Sequence, residues 1–223
     1  MDNISTSTHC GTHLDAPCHF ARDRWCVSDI PLSRLFQRPA YMIDISDKCL
    51  SNPDCQLMID DIINWIKDND KIKHGGIVLV KTGQSRFWPD RKKYFGIDGK
   101  YFHFPGVHPE AGRYLAHHLN IFGVGIESPS IDYGLSNKFE THVILAQNNV
   151  FILENLGPNI DKLPAKGFQV SAIPIKIENA SGSPVRIIVQ LSLVNQNNRE
   201  WFMILLAIFI IIFINARCYY GSR

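Results

Sequence analysis

The sequence predicts an α/β fold built on a mixed sheet, with an apolar helix added at the C-terminal end. Three observations carry this prediction. A helical pattern is followed by a short apolar β-branched run, the same pairing then recurs, and the chain closes on two strands joined by a turn. Strands that alternate with helices pair in parallel, and the closing hairpin makes the sheet mixed.

Residues 1–20 read as an extended segment broken by Gly11 and Pro17. Residues 60–67 follow Pro53-Asp54 and carry Ile62, Ile63, Trp65 and Ile66, the spacing of an amphipathic helix. Gly75-Gly76 ends that unit. Residues 77–80, Ile-Val-Leu-Val, are continuously apolar and β-branched, which predicts a buried strand. Pro109 then stands where a first helical turn begins, and Glu110 complements the positive end of that helix. Ala111, Tyr114, Leu115 and His118 continue at helical spacing, Asn120 punctuates, and residues 121–126 form a second apolar strand. Residues 142–145 and 150–153 are further apolar stretches. Residues 172–177 and 185–191 form the closing strand pair, joined by the turn-rich residues 179–184. No internal repeat and no low-complexity linker occurs before residue 195.

The tail differs in kind. Residues 201–214 are 14 consecutive apolar residues. A membrane-spanning helix needs about 20 such residues, with roughly 17 as the lower end. Counting on to Tyr220, with Arg217 snorkelling to the interface, reaches that length. Trp201, Tyr219 and Tyr220 stand at interfacial positions. A soluble core helix would show a polar stripe, and this segment has none. The expectation is therefore a domain over residues 1–195 and a tail over 196–223 with a transmembrane helix at about 201–220. Such a chain is membrane-associated through its tail, or cytoplasmic where the tail is not inserted. No signal peptide is visible at the N-terminus.

Composition excludes some classes. The chain is 45% hydrophobic and 20% charged with a formal net charge of +2, so it has no nucleic-acid-binding signature. The one short basic run, Arg91-Lys92-Lys93, reads as a solvated loop. The six cysteines form no CxxC pair, which argues against a thiolate zinc site; their even number permits disulfides without arguing for them.

The chemistry lies near the start. His9, His13, Asp15 and His19 share one parity, so an extended strand projects all four from one face. A straight strand would nonetheless separate His9 from Asp15 by roughly 20 Å. Ligands of one ion must bind within about 2.2 Å of it, so the chain has to fold back, and Gly11 is the residue suited to permit that. Two imidazoles and a carboxylate suit zinc, manganese or iron(II) and leave positions for water, whose proton a bound metal labilises. His19 is spare and fits a proton shuttle. His103, His108, His117 and His118 stand apart from this run, and the last two lie on the predicted helix, where they read as exposed or packing residues.

The run from His9 to Phe20 (His-Cys-Gly-Thr-His-Leu-Asp-Ala-Pro-Cys-His-Phe) resembles the HxGTHxDxPxHF signature of the cyclase family, which includes bacterial-type kynurenine formamidases and isatin hydrolases. Later segments agree in order: Val80-Lys-Thr-Gly83, Arg86-Phe-Trp-Pro-Asp90, Phe104-Pro-Gly106, residues 123–132, His142 with Glu154-Asn-Leu156, and Gly182-Ser-Pro-Val185. The resemblance covers about residues 4–193. It implies a swivelling β/β/α-type domain, a homodimer, and a site for one or two divalent ions, zinc or manganese. By that resemblance His9, His13 and Asp15 hold the first ion, Asp15 bridges to a second completed by His142 and Glu154, and His19 is the catalytic histidine. Glu127 stands where many relatives carry Asp. Eight residues precede His9, where relatives carry a strand and a substrate-contacting aromatic, so the domain is expected to be N-terminally short.

The implied activity is an arylformamidase that converts N-formyl-L-kynurenine to L-kynurenine and formate in tryptophan catabolism. Two alternatives stand beside it. One is a hydrolase of cyclic amides or lactones, of the isatin-hydrolase kind. The other is a membrane-tethered relative without catalysis.

Overall fold

The computed structural model describes residues 2–191. Nine strands appear there: β1 (His13–Asp15), β2 (Arg38–Asp44), β3 (Gln56–Leu57), β4 (Ile77–Lys81), β5 (Gly106–Val107), β6 (Gly123–Ile126), β7 (Phe151–Glu154), β8 (Phe168–Pro174) and β9 (Gly182–Leu191). The α-helices are α1 (Leu32–Leu35), α2 (Ser46–Ser51), α3 (Ile59–Asn69), α4 (Arg91–Tyr94), α5 (Pro109–Arg113) and α6 (Glu140–Gln147). The fold is mixed α/β, as expected, and its main sheet closes on itself in the order β1-β7-β6-β4-β2-β8-β9. Neighbours within β2, β4, β6 and β7 run parallel, while β8, β9 and β1 are antiparallel to theirs.

Alternate residues of the parallel strands serve two cores, which explains why the sequence shows unbroken apolar runs rather than alternation. Ala40, Met42, Ile77, Leu79, Phe151 and Leu153 point into the barrel with Leu14, Val170 and Val185. Tyr41, Ile43, Val78, Val80, Val124, Ile126 and Ile152 point outward, under Ile62 and Trp65 of α3, Ala111 of α5, Leu115, and Leu145 of α6. The indole N–H of Trp65 donates to the Met42 carbonyl at 2.8 Å, pinning α3 to β2.

The predicted helix over 60–67 is α3, and the predicted strands at 77–80 and 121–126 are β4 and β6. The helical pattern from Pro109 is α5, continued by a wider π-turn over Tyr114–His118. The closing pair is shifted: β8 begins at Phe168 and ends at Pro174, and Gly182–Pro184 is already strand, because it pairs with β1. The extended reading of residues 1–20 is corrected, since only His13–Asp15 form a strand and Pro17–His19 form a 3-10 turn with the ring of Pro17 near its start. Cys18 pairs with Cys26 and Cys49 with Cys55 as disulfides, which the even cysteine count permitted. No helix among the described residues is long and apolar enough to cross a membrane. The tail over 196–223, with its expected transmembrane helix at 201–220, lies outside the described residues.

Candidate metal centre

The site is built on β1. Leu14 turns into the barrel, so His13 and Asp15 turn out together. Glu154 is the residue directly opposite His13 in the antiparallel β1–β7 pair, and so it joins them on the same face. The outcome is a buried group: Asp15 Oδ1 lies 3.0 Å from His13 Nε2, and Glu154 Oε2 lies 3.4 Å from the same nitrogen. Donor atoms of His13, Asp15 and Glu154 all fall within 4.8 Å of one another.

His142 arrives from α6. Asp132 accepts the backbone N–H groups of Thr141 and His142, each at 3.1 Å, and so caps the first turn of that helix. The same carboxylate lies 2.6 Å from His142 Nδ1, which fixes the ring and turns Nε2 toward Glu154 Oε1 at 3.1 Å and Asp15 Oδ2 at 3.4 Å. His13 is held in the same way, its Nδ1 lying 2.9 Å from the Gly11 carbonyl. Glu154 Oε1 also accepts the N–H of Ile131 at 2.8 Å.

The predicted fold-back occurs at Gly11, whose φ of +62° is the left-handed conformation that glycine adopts without a steric cost. It returns His9 over Asp15, with Nδ1 at 2.6 Å from Oδ1 and Nε2 at 2.9 Å from Ser181 Oγ. Gly182, paired with Asp15 across β1–β9, makes room for this ring: a Cβ there would stand 2.8 Å from His9 Nδ1. His19 follows on the 3-10 turn and stacks on His9 with ring centres 4.2 Å apart. His9, Asp15 and His19 thus form a second group of donors within 4.8 Å. All six sequence-predicted residues are therefore brought together. His103 instead pairs with Asp54 at 2.7 Å and His108 caps α5, apart from this group.

Charge follows from this packing. Burial opposes protonation of His13, but Asp15 and Glu154 outweigh it and push its pKa up to about 10. Burial likewise opposes charge on His142, and Asp132, Asp15 and Glu154 raise it well above its ordinary value. Asp15 is held ionised against burial by His13, His142 and His9. His19 has the opposite fate. Partial desolvation lowers its pKa, so it is a neutral imidazole near pH 7.

The donor set fits a divalent cation. Buried carboxylates and imidazoles converge with nitrogen–oxygen separations of 2.6 to 3.4 Å, the spacing of neighbouring ligands around one ion. A metal would replace the protons that now hold His13 and His142 against Asp15 and Glu154.

These residues line a cleft of about 650 Å³. Its walls include Phe20, Trp88, Phe95 and Phe139, with Phe20 and Phe139 5.6 Å apart. Two features escaped the sequence reading. Asp132 lay within a matching segment but carried no role, because its partner is ten residues away across a loop. Arg91, read as part of a solvated loop, lies on the one-turn helix α4 and lines the cleft. Glu127 is buried away from the donors and accepts the N–H groups of Thr82 and Gly83 at 2.6 and 2.7 Å.

Comparison with known proteins agrees with this geometry. The family model Cyclase, described as "Putative cyclase", matches residues 2–133. An isatin hydrolase of Roseibium aggregatum is 33% identical over 186 residues, covering 80% of this chain and 70% of its own. A kynurenine formamidase of Geobacillus thermodenitrificans is 32% identical over 191 residues, covering 83% of this chain and 78% of its own. The solved structure of isatin hydrolase A from Labrenzia aggregata, bound to benzyl benzoate, superposes with a TM-score of 0.80 at 32% identity, covering 85% of this chain and 76% of that one. With a family model over more than half its length and relatives above 30% identity over most of theirs, the chain belongs to the cyclase family.

Proposed function

We propose that the chain is a metal-dependent amide hydrolase whose substrate is an aryl formamide, N-formyl-L-kynurenine, cleaved to L-kynurenine and formate. The observation that carries this reading is the division within the cleft: five donors bound up with one another, and beside them one neutral histidine, His19, whose imidazole has no hydrogen-bond partner among the described residues.

His9, His13, Asp15, His142 and Glu154 would hold one or two divalent ions, zinc or manganese. Such an ion, when bound, supplies Lewis acidity at the amide carbonyl and lowers the pKa of water. His13 and His142 have their second nitrogens occupied by Gly11 and Asp132, so each presents Nε2 in a fixed direction. His19 takes a proton from the water that attacks the formyl carbon and returns it to the departing aniline nitrogen. Phe20, Phe139 and Trp88 bind the aryl ring and exclude water from its faces.

A second reading has its own support, since relatives named isatin hydrolase match as well as those named kynurenine formamidase. Ring opening of a cyclic amide uses the same proton path. The test is formate release from N-formyl-L-kynurenine by the zinc- or manganese-loaded chain, run beside ring opening of isatin. Turnover of isatin without formate release would replace the first reading by the second. Two further expectations belong with this proposal: a homodimer, checked by light scattering, and a tail anchor at 201–220, checked by membrane flotation of the full chain.

A further inference from the structure

We infer that Arg91 anchors a carboxylate of the substrate, away from the bond that is cut; this rests on the amide-hydrolase reading above. Among the residues that line the cleft, Arg91 is the one lysine or arginine. The cleft's two carboxylates, Asp15 and Glu154, are both spent on histidines. Arg91 makes no ion pair and no side-chain hydrogen bond among the described residues, because the adjacent Asp90 is taken by Lys93 at 3.3 Å and by capping α4. Its guanidinium carbon stands 5.6 Å from the centre of the Phe95 ring, so an aromatic wall of the cleft supports it.

A guanidinium left unpaired on an aromatic wall presents its planar fork to whatever enters. The group that matches it is a planar carboxylate, bound bidentately. A ligand that satisfies the whole cleft is therefore an aryl amide with a free carboxylate at a distance from the amide. N-formyl-L-kynurenine has that carboxylate on its side chain, and isatin has none. Arg91 thus separates the two substrate readings that the donor cluster leaves equivalent.

The test uses the metal-loaded chain, its R91Q and R91K variants, and two formamides that differ only in the carboxylate: N-formyl-L-kynurenine and N-formylkynuramine. The wild type is expected to favour the carboxylate-bearing substrate roughly tenfold in kcat/KM, through KM rather than kcat. R91Q should erase that preference and R91K should restore part of it. Equal KM values in the wild type, or a preference that survives in R91Q, overturns the assignment. A wild-type chain that hydrolyses neither formamide refutes the proposed function instead. Calorimetric titration of kynurenine and kynuramine into wild type and R91Q then decides on Arg91 alone: tighter binding of kynurenine only in the wild type upholds it, and equal binding refutes it.

Discussion

His142 and His19 have ring centres 6.5 Å apart, yet opposite means hold them in place. His142 is buried on a helix that Asp132 caps, and the same carboxylate grips its Nδ1. His19 is exposed on a 3-10 turn, and its ring meets its neighbours through aromatic contacts, stacked on His9 and edge-on to Phe20. The same contrast divides the whole centre. His13, Asp15, His142 and Glu154 stand on strands and a helix, buried and paired; His9 and His19 stand on turns at the cleft surface. Buried charges survive only with partners in place, so that half must be preformed. The surface half can leave a nitrogen free, and a proton carrier needs a free nitrogen.

Asp15→Ala tests the buried half most severely, because Asp15 touches His9, His13 and His142. Breaking a buried ionic network costs about 3–5 kcal/mol, and loss of a proposed metal ligand would add to that. The purified variant should lose its metal by elemental analysis, and kcat/KM should fall by about a thousandfold or more.

His19→Ala tests the surface half. Metal content should stay at the wild-type level while kcat falls by roughly a hundredfold to ten-thousandfold, the range of a lost general acid–base. Loss of metal in this variant would move His19 from proton carrier to ligand, where its closeness to His9 and Asp15 also puts it within reach.

Asp132→Asn separates holding a ligand from being one. Metal affinity should drop by about 10- to 100-fold, measured by competition with a chelator. The variant also has a pH signature. Burial opposes ionisation of Asp132, but His142 and the capped N–H groups outweigh it and hold its pKa below the ordinary 3.8. Its contribution to stability is then complete above pH about 4 and is lost as pH falls through the lower folded value. In urea titrations of the metal-free chain, wild type should exceed the variant at pH 7, and the gap should close on acidification.

Gly182→Ala is the mildest change. Its new methyl collides with the His9 ring, and overpacking costs about 1–3 kcal/mol in a rigid site. His9 sits on a turn and can swing away, so the fold should stay intact by circular dichroism, with metal affinity lower by roughly tenfold. A cost above that range would show the surface half to be as rigid as the buried one.

Much of the centre was legible because its residues are close in sequence and rich in rare types. Three histidines, an aspartate and the bend at Gly11 lie within eleven residues. The helix at α3 was legible from its periodicity, and the strands β4 and β6 from their unbroken apolar runs. Strand β2 was passed over, since Pro39 near its start masks the apolar run of Ala40–Ile43 that pairs in parallel with β4. The pairings Cys18–Cys26 and Cys49–Cys55 and the cleft position of Arg91 carried no pattern in the chain.

The α/β class, the alternation of helix and buried strand, and the grouping of His9, His13, Asp15 and His19 could be read along the chain, because each depends on local pattern or on residue chemistry at short range, whereas His142 and Glu154 were legible only through the resemblance to the cyclase family. Only the tertiary structure decided that the sheet closes on β1, that Glu154 stands opposite His13, that Asp132 steers His142, and that Gly182 makes room for His9. Those facts join residues up to 173 positions apart, as with His9 and Gly182. Register and burial set them, and a linear reading sees neither until the strands are paired.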